Sequence, residues 1–425
     1  MKKIVAYLLL AVTAQLLVPS RAQSNGVVRD SIGATSSGRG GTNLAHHDNG
    51  AVILNNPAAM VNVKGSGLSE FGVDTVITDL DYSDPENNTS AVNTNVLPEI
   101  SVIRKSLDGR WAVGFGAFAP AGYGATWKLS NPILGTNTYK SFGALGKIMP
   151  GVAYQVNDDL SIGASMGVAV SHLEFESPFF LQTGPLAGAP TQFDLQATGA
   201  SLAWNVGLQY QLDEWTTIGA GFIGETRMEY DGNVRAAVVG LGPQPIESRF
   251  DAEVDLAWPR SAGVGVAHWL NCRQRISTDL MWYDWSNAYD QLDIRLRNST
   301  NPIFPAVLGP EISDSFPLRW RDSLSVRLGY ELFTPNDSVF RAGYVYNTRN
   351  LPSATLTPLI PATLEHSFTV GYGKSWSDWQ WNFAYQFSFG PERSVGTSAL
   401  AGGDFSNSES NSQAHWISLS LIRRF

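Results

Sequence analysis

Beyond residue 65 the chain alternates apolar and polar residues with a period of two. The clearest stretch sets Trp379, Trp381, Phe383, Tyr385, Phe387 and Phe389 against Gln380, Asn382, Ala384, Gln386 and Ser388. Leu324, Val326, Leu328, Tyr330 and Leu332 alternate with Ser325, Arg327, Gly329 and Glu331 in the same way. Successive side chains of a strand point to opposite faces, so this pattern predicts strands with one apolar and one polar face. The strands are predicted over 66–82, 93–107, 110–120, 145–156, 159–175, 197–212, 214–232, 249–270, 273–296, 320–333, 338–349, 364–376, 379–389 and 412–425. That is about fourteen, an even number, as a closed antiparallel barrel requires when both chain ends lie on one side.

Alternation alone does not separate a membrane barrel from a soluble sandwich. Three further features point to the barrel. The predicted strands exceed the ~5–6 residues usual in soluble sheets and suit tilted crossings of a bilayer. Tight connections at 107–110, 157–159, 212–214, 334–337 and 377–378 alternate with long stretches near 83–95, 120–144, 176–196, 233–248, 297–318, 350–363 and 390–411. Short turns at one end and long loops at the other are the plan of outer-membrane barrels. Trp285, Trp320, Trp376 and Trp379 fall at strand ends, where aromatic girdles meet the membrane interface. The fold class read from the sequence is all-β: a membrane-spanning antiparallel β-barrel over 66–425.

Composition sharpens this. The 425 residues carry a formal net charge of −9, which argues against a partner whose phosphates must be neutralised, so no nucleic acid is expected. A mean hydropathy of −0.09 is too polar for a bundle of transmembrane helices but fits strands that are apolar on one face only. Cys272 is the single cysteine, excluding an intramolecular disulfide and a cysteine zinc cluster; no role is assigned to it.

Residues 1–22 read as a signal peptide. Lys2 and Lys3 precede an apolar stretch, and Ser20 and Ala22 supply the small residues of a cleavage site. Residues 23–65 do not read as strand. They run through Gly33-Ala34-Thr35-Ser36-Ser37-Gly38-Arg39-Gly40-Gly41-Thr42, then Ala45 to Val52, then Asn55-Asn56-Pro57-Ala58-Ala59-Met60. Val52, Ile53, Leu54, Met60 and Val61 make packing inside the barrel the expected arrangement, since a disordered tail would be charged and poor in such residues.

The Gly-rich run, the Ala45–Val52 spacing around Asp48 and the Asn56-Pro57-Ala58 triplet resemble the hatch of the outer-membrane long-chain fatty-acid transporter family (FadL/TodX type, OMPP1). The resemblance continues through Pro120–Trp127, Trp204–Leu212, Trp285-Ser286, Trp320-Arg321-Asp322 and the terminal Phe425, and so covers the mature chain. It implies a monomeric barrel that takes hydrophobic ligands into an outer groove, then a lumenal pocket, and releases them into the membrane through an opening beside a kinked third strand. Hatch movement, with Asn56, Pro57 and Ala58 as its candidate residues, would gate the route. Such a ligand gains ~0.8 kcal/mol for each CH₂ it keeps out of water. The partners implied are a long-chain fatty acid or hydrocarbon, outer-membrane lipids of a Gram-negative cell and, through Phe425, the barrel-assembly machinery.

Individual residues follow. Gly114 and Gly116 in the third strand are candidates for its kink, or for a lumenal face against the hatch. Phe179, Phe180 and Leu181 in one loop, with Val238, Val239 and Leu241 in the next, are candidate groove residues, unless the loops bury them. The family's cationic ligand positions fall near His172 and Arg321. A histidine in place of the expected arginine leaves uncharged hydrocarbons open, and Arg321 has an alternative as the salt-bridge partner of Asp322 or of a hatch carboxylate.

Several apparent signals carry no chemistry. The glycine run lacks the Lys and Ser/Thr of a phosphate loop. His46-His47-Asp48 lacks a third ligand in sequence, so neither metal nor cofactor is expected; hydrogen bonding within the hatch is the expected role, with Asp48 tying it to the wall. Ser171 and His172 are sequence neighbours and cannot form a hydrolase pair, so the chain is not read as an enzyme. The competing functions are a non-specific diffusion porin, which needs an open lumen, and a surface receptor or adhesin acting through its loops.

Overall fold

The computed structural model describes residues 27–240 and 244–425. The predicted signal peptide lies outside the described residues, as does Leu241. Among the described residues, nineteen strands form one antiparallel sheet that closes on itself as fourteen wall crossings. Six crossings are unbroken: β1 (Gly67–Ser83), β2 (Asn88–Lys105), β3 (Trp111–Asn131), β4 (Gly135–Gln155), β5 (Leu160–Phe180) and β6 (Pro190–Asp213). Four are each split in two: β7 (Thr216–Ile223) with β8 (Thr226–Val238), β9 (Ile246–Trp258) with β10 (Ser261–Asn271), β11 (Gln274–Tyr283) with β12 (Gln291–Arg297), and β13 (Glu311–Pro317) with β14 (Ser323–Phe333). The last four are β15 (Ser338–Asn347), β16 (His366–Trp376), β17 (Trp379–Phe389) and β19 (Ser408–Arg424), with the short β18 (Arg393–Val395) added to β19. The barrel closes where β1 meets β19, from Leu68↔Arg424 to Ser83↔Glu409. Closure pairs the backbone groups that lipid would leave unsatisfied.

Two expectations about connections change. The stretches 83–95 and 120–144 are not loops: β1 to β4 run on as long hairpins whose turns occupy only 84–87 and 132–134. The first turn is set locally, because the Asp84 side chain accepts hydrogen bonds from the backbone N–H of Glu86 (2.8 Å) and Asn87 (2.7 Å), an Asx turn that reverses the chain in few residues. The polar residues there sit on paired strands extending beyond the apolar band. The predicted girdle also divides. Trp376 and Trp379 are exposed, whereas Trp285 and Trp320 are buried inside the barrel, because both lie in the breaks that split crossings.

The period of two assigns the faces. Val113, Phe115, Val168, Val170, Leu202, Val206, Phe368, Val370 and Leu419 are exposed on the outer surface, an apolar belt far larger than a water-soluble monomer tolerates. Ser165, Ser171, Asn205, Gln209, Asp279, Arg327 and Glu331 face inward and are buried.

They are buried because residues 27–65 fill the turn end of the lumen. This segment forms short helices at Ala34–Gly38 and Val52–Asn55 and a 3-10 turn at Pro57–Asn62. Ile53, Ala58 and Met60 have no solvent exposure. The Asn56 side chain caps the 3-10 turn by accepting from Ala58 N at 3.3 Å, with Pro57 in the first-turn position where its missing N–H costs nothing. Gly40 has φ +67°, and a Cβ there would press on the Leu328 carbonyl and the Tyr344 backbone. The glycine run therefore lets backbone lie directly on backbone.

Candidate functional site

The wall has a gap. β2 and β3 pair only from Ile100↔Ala117 to Lys105↔Ala112. Beyond that, β2 continues along β1 as far as Asn88, while β3 continues with β4 alone. The parting coincides with an irregularity in β3: Phe118 faces Lys147 and Ala121 faces Leu145, so Ala119 and Pro120 stand opposite Gly146 only, a β-bulge that bends the strand. Proline has no N–H to give the ladder, which suits Pro120 to this place. The N-terminal segment takes up the freed edge. Arg29 N donates to Pro120 O (3.0 Å), Gly122 N to Val27 O (3.1 Å), and the Arg29 guanidinium to Ala119 O (3.1 Å). The same guanidinium forms a salt bridge with the fully buried Asp74 of β1. Around this gap lies a cavity of about 1430 Å³, counted out to its open mouth, lined by Val28, Arg29, Val96, Leu97, Ala121, Tyr123 and Trp416 among others.

A second cavity, about 1060 Å³ on the same basis, occupies the loop end of the lumen. Leu173, Phe175, Leu195, Val254, Leu256 and Ile294 supply its walls, Tyr289 and Trp320 also line it, and the loop residues Leu351, Leu359, Ile360, Leu400 and Phe405 cover it. The loop is held down by Trp127 Nε1, which donates to Pro358 O at 3.0 Å. Among the described residues no lysine, arginine or histidine lines this cavity; its ionisable acids are Glu174 and Asp404. Burial pushes the Asp404 carboxyl up to about 7, against a hydrogen bond from Asn131 that pulls it down. Tyr123 lines both cavities.

The segment that closes the lumen below is held by charge. Arg39 bonds both carboxylate oxygens of Asp48 (2.7 and 2.9 Å) and lies 3.4 Å from Glu331. Arg275 of β11 reaches Asp48 at 2.9 Å and Glu331 at 2.5 Å, and Arg341 of β15 reaches Glu331 at 3.1 Å. Asp48 does tie the segment to the wall. His46, Asp48 and Glu331 also present ligand atoms within 4.8 Å of one another, but both carboxylates are already committed to guanidinium groups. The expected hydrogen bonds of the histidines are not made by the His46 ring, whose two nitrogens are buried without partners. Its burial, with Arg39 and Arg275 beside it, holds His46 well below the usual histidine range. Asn56 donates to Leu44 O (2.7 Å) and to Leu208 O of β6 (2.9 Å).

The other predicted site residues fall as follows. The β3 irregularity lies at Ala119-Pro120 and not at Gly114 or Gly116. A Cβ on Gly114 would collide with Met60 and Ile53, so that glycine admits the hatch against the wall; a Cβ on Gly116 would strike the Phe118 ring. Pro57 and Ala58 pack against β5, where a Cβ on Gly163 would meet their backbone. His172 does not line the lumenal cavity. It shares the parity of the exposed Val168 and Val170, and bonds Thr198 (2.8 Å) and Glu174 (3.2 Å). Arg321 is exposed and also off the cavity; its backbone N–H donates to Asn350 O, while Asp322 accepts from Trp282 and Ser286. Phe180 and Val238 are buried, Leu181 and Val239 half-buried, so these four residues fold onto the protein. Phe179 falls at the end of β5, and its side chain lies outside the described set.

Sequence reasoning missed Arg29, Tyr123, Tyr289 and Trp320 as site residues. Pro120 was the available signal for the gap, since proline inside a strand belongs to an edge or a bulge.

The geometry has known counterparts. A Pseudomonas aeruginosa FadL homologue superposes with a TM-score of 0.78 at 17% identity, covering 94% of this chain and 100% of its own. The Pseudomonas putida toluene transporter TodX gives 0.77 at 22%, covering 95% and 100%. The Ralstonia pickettii toluene transporter TbuX gives 0.72 at 20%, covering 93% and 99%. At these identities the likeness is one of fold. No curated protein matches the sequence. The family described as outer membrane protein transport protein (OMPP1/FadL/TodX) matches residues 15–425, a family of outer-membrane transporters and not of enzymes, and this chain belongs to it.

Proposed function

We propose that the protein carries uncharged hydrophobic compounds across the outer membrane by passive diffusion, through the lumenal cavity and out sideways between β2 and β3. The observation that carries this reading is Tyr123, which lines both the lumenal cavity and the cavity at the wall gap. A ligand passing it finds apolar side chains on both sides, Leu173 and Leu195 in the lumen and Val96 and Leu97 at the gap, beside the polar Asn95, Asn347 and Gln386, at a gain of ~0.8 kcal/mol for each CH₂ kept out of water. Among the described residues no cation lines the cavity, which favours a neutral compound over a fatty-acid carboxylate, since the latter would call for a charged partner. The toluene transporters among the structural neighbours agree with that preference. Residues 27–29 act as the seal of the gap, and displacement of the hatch they belong to is the gate. The working unit is a monomer in contact with outer-membrane lipid. Phe425 serves as the assembly signal, so its deletion lowers the amount of folded barrel in the membrane.

The test is a reversible lock. Val28 and Ala121 form an antiparallel bridge, close enough for a disulfide when both are cysteine. In a Cys272→Ser background, Val28→Cys with Ala121→Cys should stop toluene uptake by cells when oxidised and restore it on reduction. Equal uptake by the oxidised and reduced forms excludes the sideways exit.

A further inference from the structure

Three aromatic side chains meet where two wall crossings are interrupted. Trp285 and Tyr289 come from the break between β11 and β12, and Trp320 from that between β13 and β14. Their ring centroids lie 4.6 Å (Tyr289–Trp320), 4.8 Å (Trp285–Trp320) and 5.0 Å (Trp285–Tyr289) apart. Trp285 and Tyr289 have no exposure and Trp320 has 3%. Each has one side-chain polar atom, and in all three it is buried without a hydrogen-bond partner: Trp285 Nε1, Tyr289 Oη and Trp320 Nε1.

Three other buried residues of the same types in the barrel interior are satisfied. Trp258 Nε1 donates to Tyr230 Oη at 3.3 Å, and Tyr230 Oη donates to Ser171 at 2.9 Å. Trp127 Nε1 has the Pro358 carbonyl. Buried polar atoms are as a rule hydrogen-bonded, and a cluster of exceptions calls for a missing partner. Of the three, Tyr289 and Trp320 line the lumenal cavity, with their polar atoms enclosed among the rings, while Trp285 meets Tyr289 edge-on at 87° and Trp320 at a tilt of 54°. An indole N–H can only donate, so what completes Trp320 must be an acceptor. The surroundings offer an anion no partner: no cation among the described residues lines the cavity, and its acids are Glu174, already paired with Lys140, and Asp404, which burial pushes towards its neutral form.

We propose that Tyr289 and Trp320 are a recognition subsite for an uncharged hydrogen-bond acceptor, such as a carbonyl, ester, ether or nitro oxygen, carried on a hydrophobic body. A turn of the two rings, whose donors are now enclosed, brings the Trp320 indole N–H and the Tyr289 hydroxyl to that oxygen, and the apolar walls around Phe175 and Phe316 take the remainder. Transported compounds are then sorted by whether they bear such an oxygen, and a plain hydrocarbon uses the walls alone. This rests on the reading that the lumenal cavity holds the transported compound.

The test compares acetophenone with ethylbenzene, which share a ring and differ in the carbonyl, on the full-length mature protein in detergent. Calorimetric titration should show that Tyr289→Phe and Trp320→Phe each weaken acetophenone relative to ethylbenzene by about fivefold, the worth of one neutral hydrogen bond, whatever the change in packing does to both probes alike. The wild-type protein supplies a reading independent of variant folding: with its tryptophans ¹⁵N-labelled, acetophenone should move an indole N–H resonance downfield and ethylbenzene should not. Both probes binding with no difference in either measurement overturns the subsite and leaves the transport reading standing. Failure of both probes to bind overturns the cavity as the ligand site, and the subsite with it.

Discussion

Arg29 donates its guanidinium to the carbonyl of Ala119 at 3.1 Å, so a residue of the N-terminal segment completes the wall where β2 has parted from β3. The same guanidinium neutralises Asp74 on β1. One side chain thus spans both sides of the gap and anchors the seal to each.

Arg29→Ala should free this edge. Gly122 N, which donates to Val27 O, then loses its neighbour's anchor, and its amide exchange should accelerate. Stranding Asp74, which has no solvent exposure, should also lower stability by about 3–5 kcal/mol, the usual effect of breaking one partner out of a buried pair. Unchanged exchange at Gly122 in the variant means that something other than Arg29 holds the strip.

Asn56→Ala removes donors from two carbonyls, one on the segment (Leu44) and one on the wall (Leu208). Each buried acceptor left without a partner costs about 1–3 kcal/mol. The heat-modifiable gel transition of the barrel should shift to lower temperature, and exchange should rise across residues 50–62 before it rises in β6. A simultaneous rise in both would show the segment and wall opening as one unit.

Glu331 accepts from Arg275 and Arg341 and lies 3.4 Å from Arg39. Its replacement by glutamine leaves Asp48 alone facing Arg39 and Arg275, with Arg341 deprived of its carboxylate. We expect a loss of about 3–5 kcal/mol in urea unfolding, larger than that from Glu225, whose partner Arg227 lies in solvent that screens the pair. A Glu331→Gln midpoint equal to that of Glu225→Gln contradicts the assignment of this network as the segment's anchor.

His46 supplies a pH dependence. Docked, its imidazole is held neutral, chiefly by burial and next by Arg39; undocked, it takes up a proton as pH falls through the ordinary value of 6.5. The undocked form therefore binds more protons below that pH, and docking weakens as the solution is acidified. Proteolysis of the segment should quicken from pH 7 to pH 5 in the wild type. His47 beside it is held down to about 4, chiefly by burial, and adds to the same trend, so His46→Asn should make the profile shallower and His46→Asn with His47→Asn should flatten it; a profile of the wild-type slope in the double variant would assign the effect to another group.

Much of the architecture was legible without coordinates because strand geometry imposes a period of two on everything it does. Trp381, Phe383 and Tyr385 belong to one face whatever the register, and about fourteen such runs with tight turns at one end suffice for a closed barrel. The parity that placed Val168 and Val170 outward also carried the answer for His172, two residues on, against the position implied by resemblance. The apolar content of Val52–Leu54 and Met60-Val61 was likewise enough to put the N-terminal segment indoors, since such residues have no stable place in water.

What the tertiary structure alone decided concerns partners distant in the chain. Where the β2–β3 ladder stops depends on Arg29 and Val27 competing for the edge of β3, a contact across some ninety residues that no local pattern encodes. Whether Trp285 and Trp320 meet lipid headgroups or each other depends on breaks in two separate crossings. Strand ends look alike in sequence whether the chain goes on outward or turns in. Alternation specifies which face of the sheet a residue occupies; only closure of the barrel around its own N-terminus specifies what that face meets.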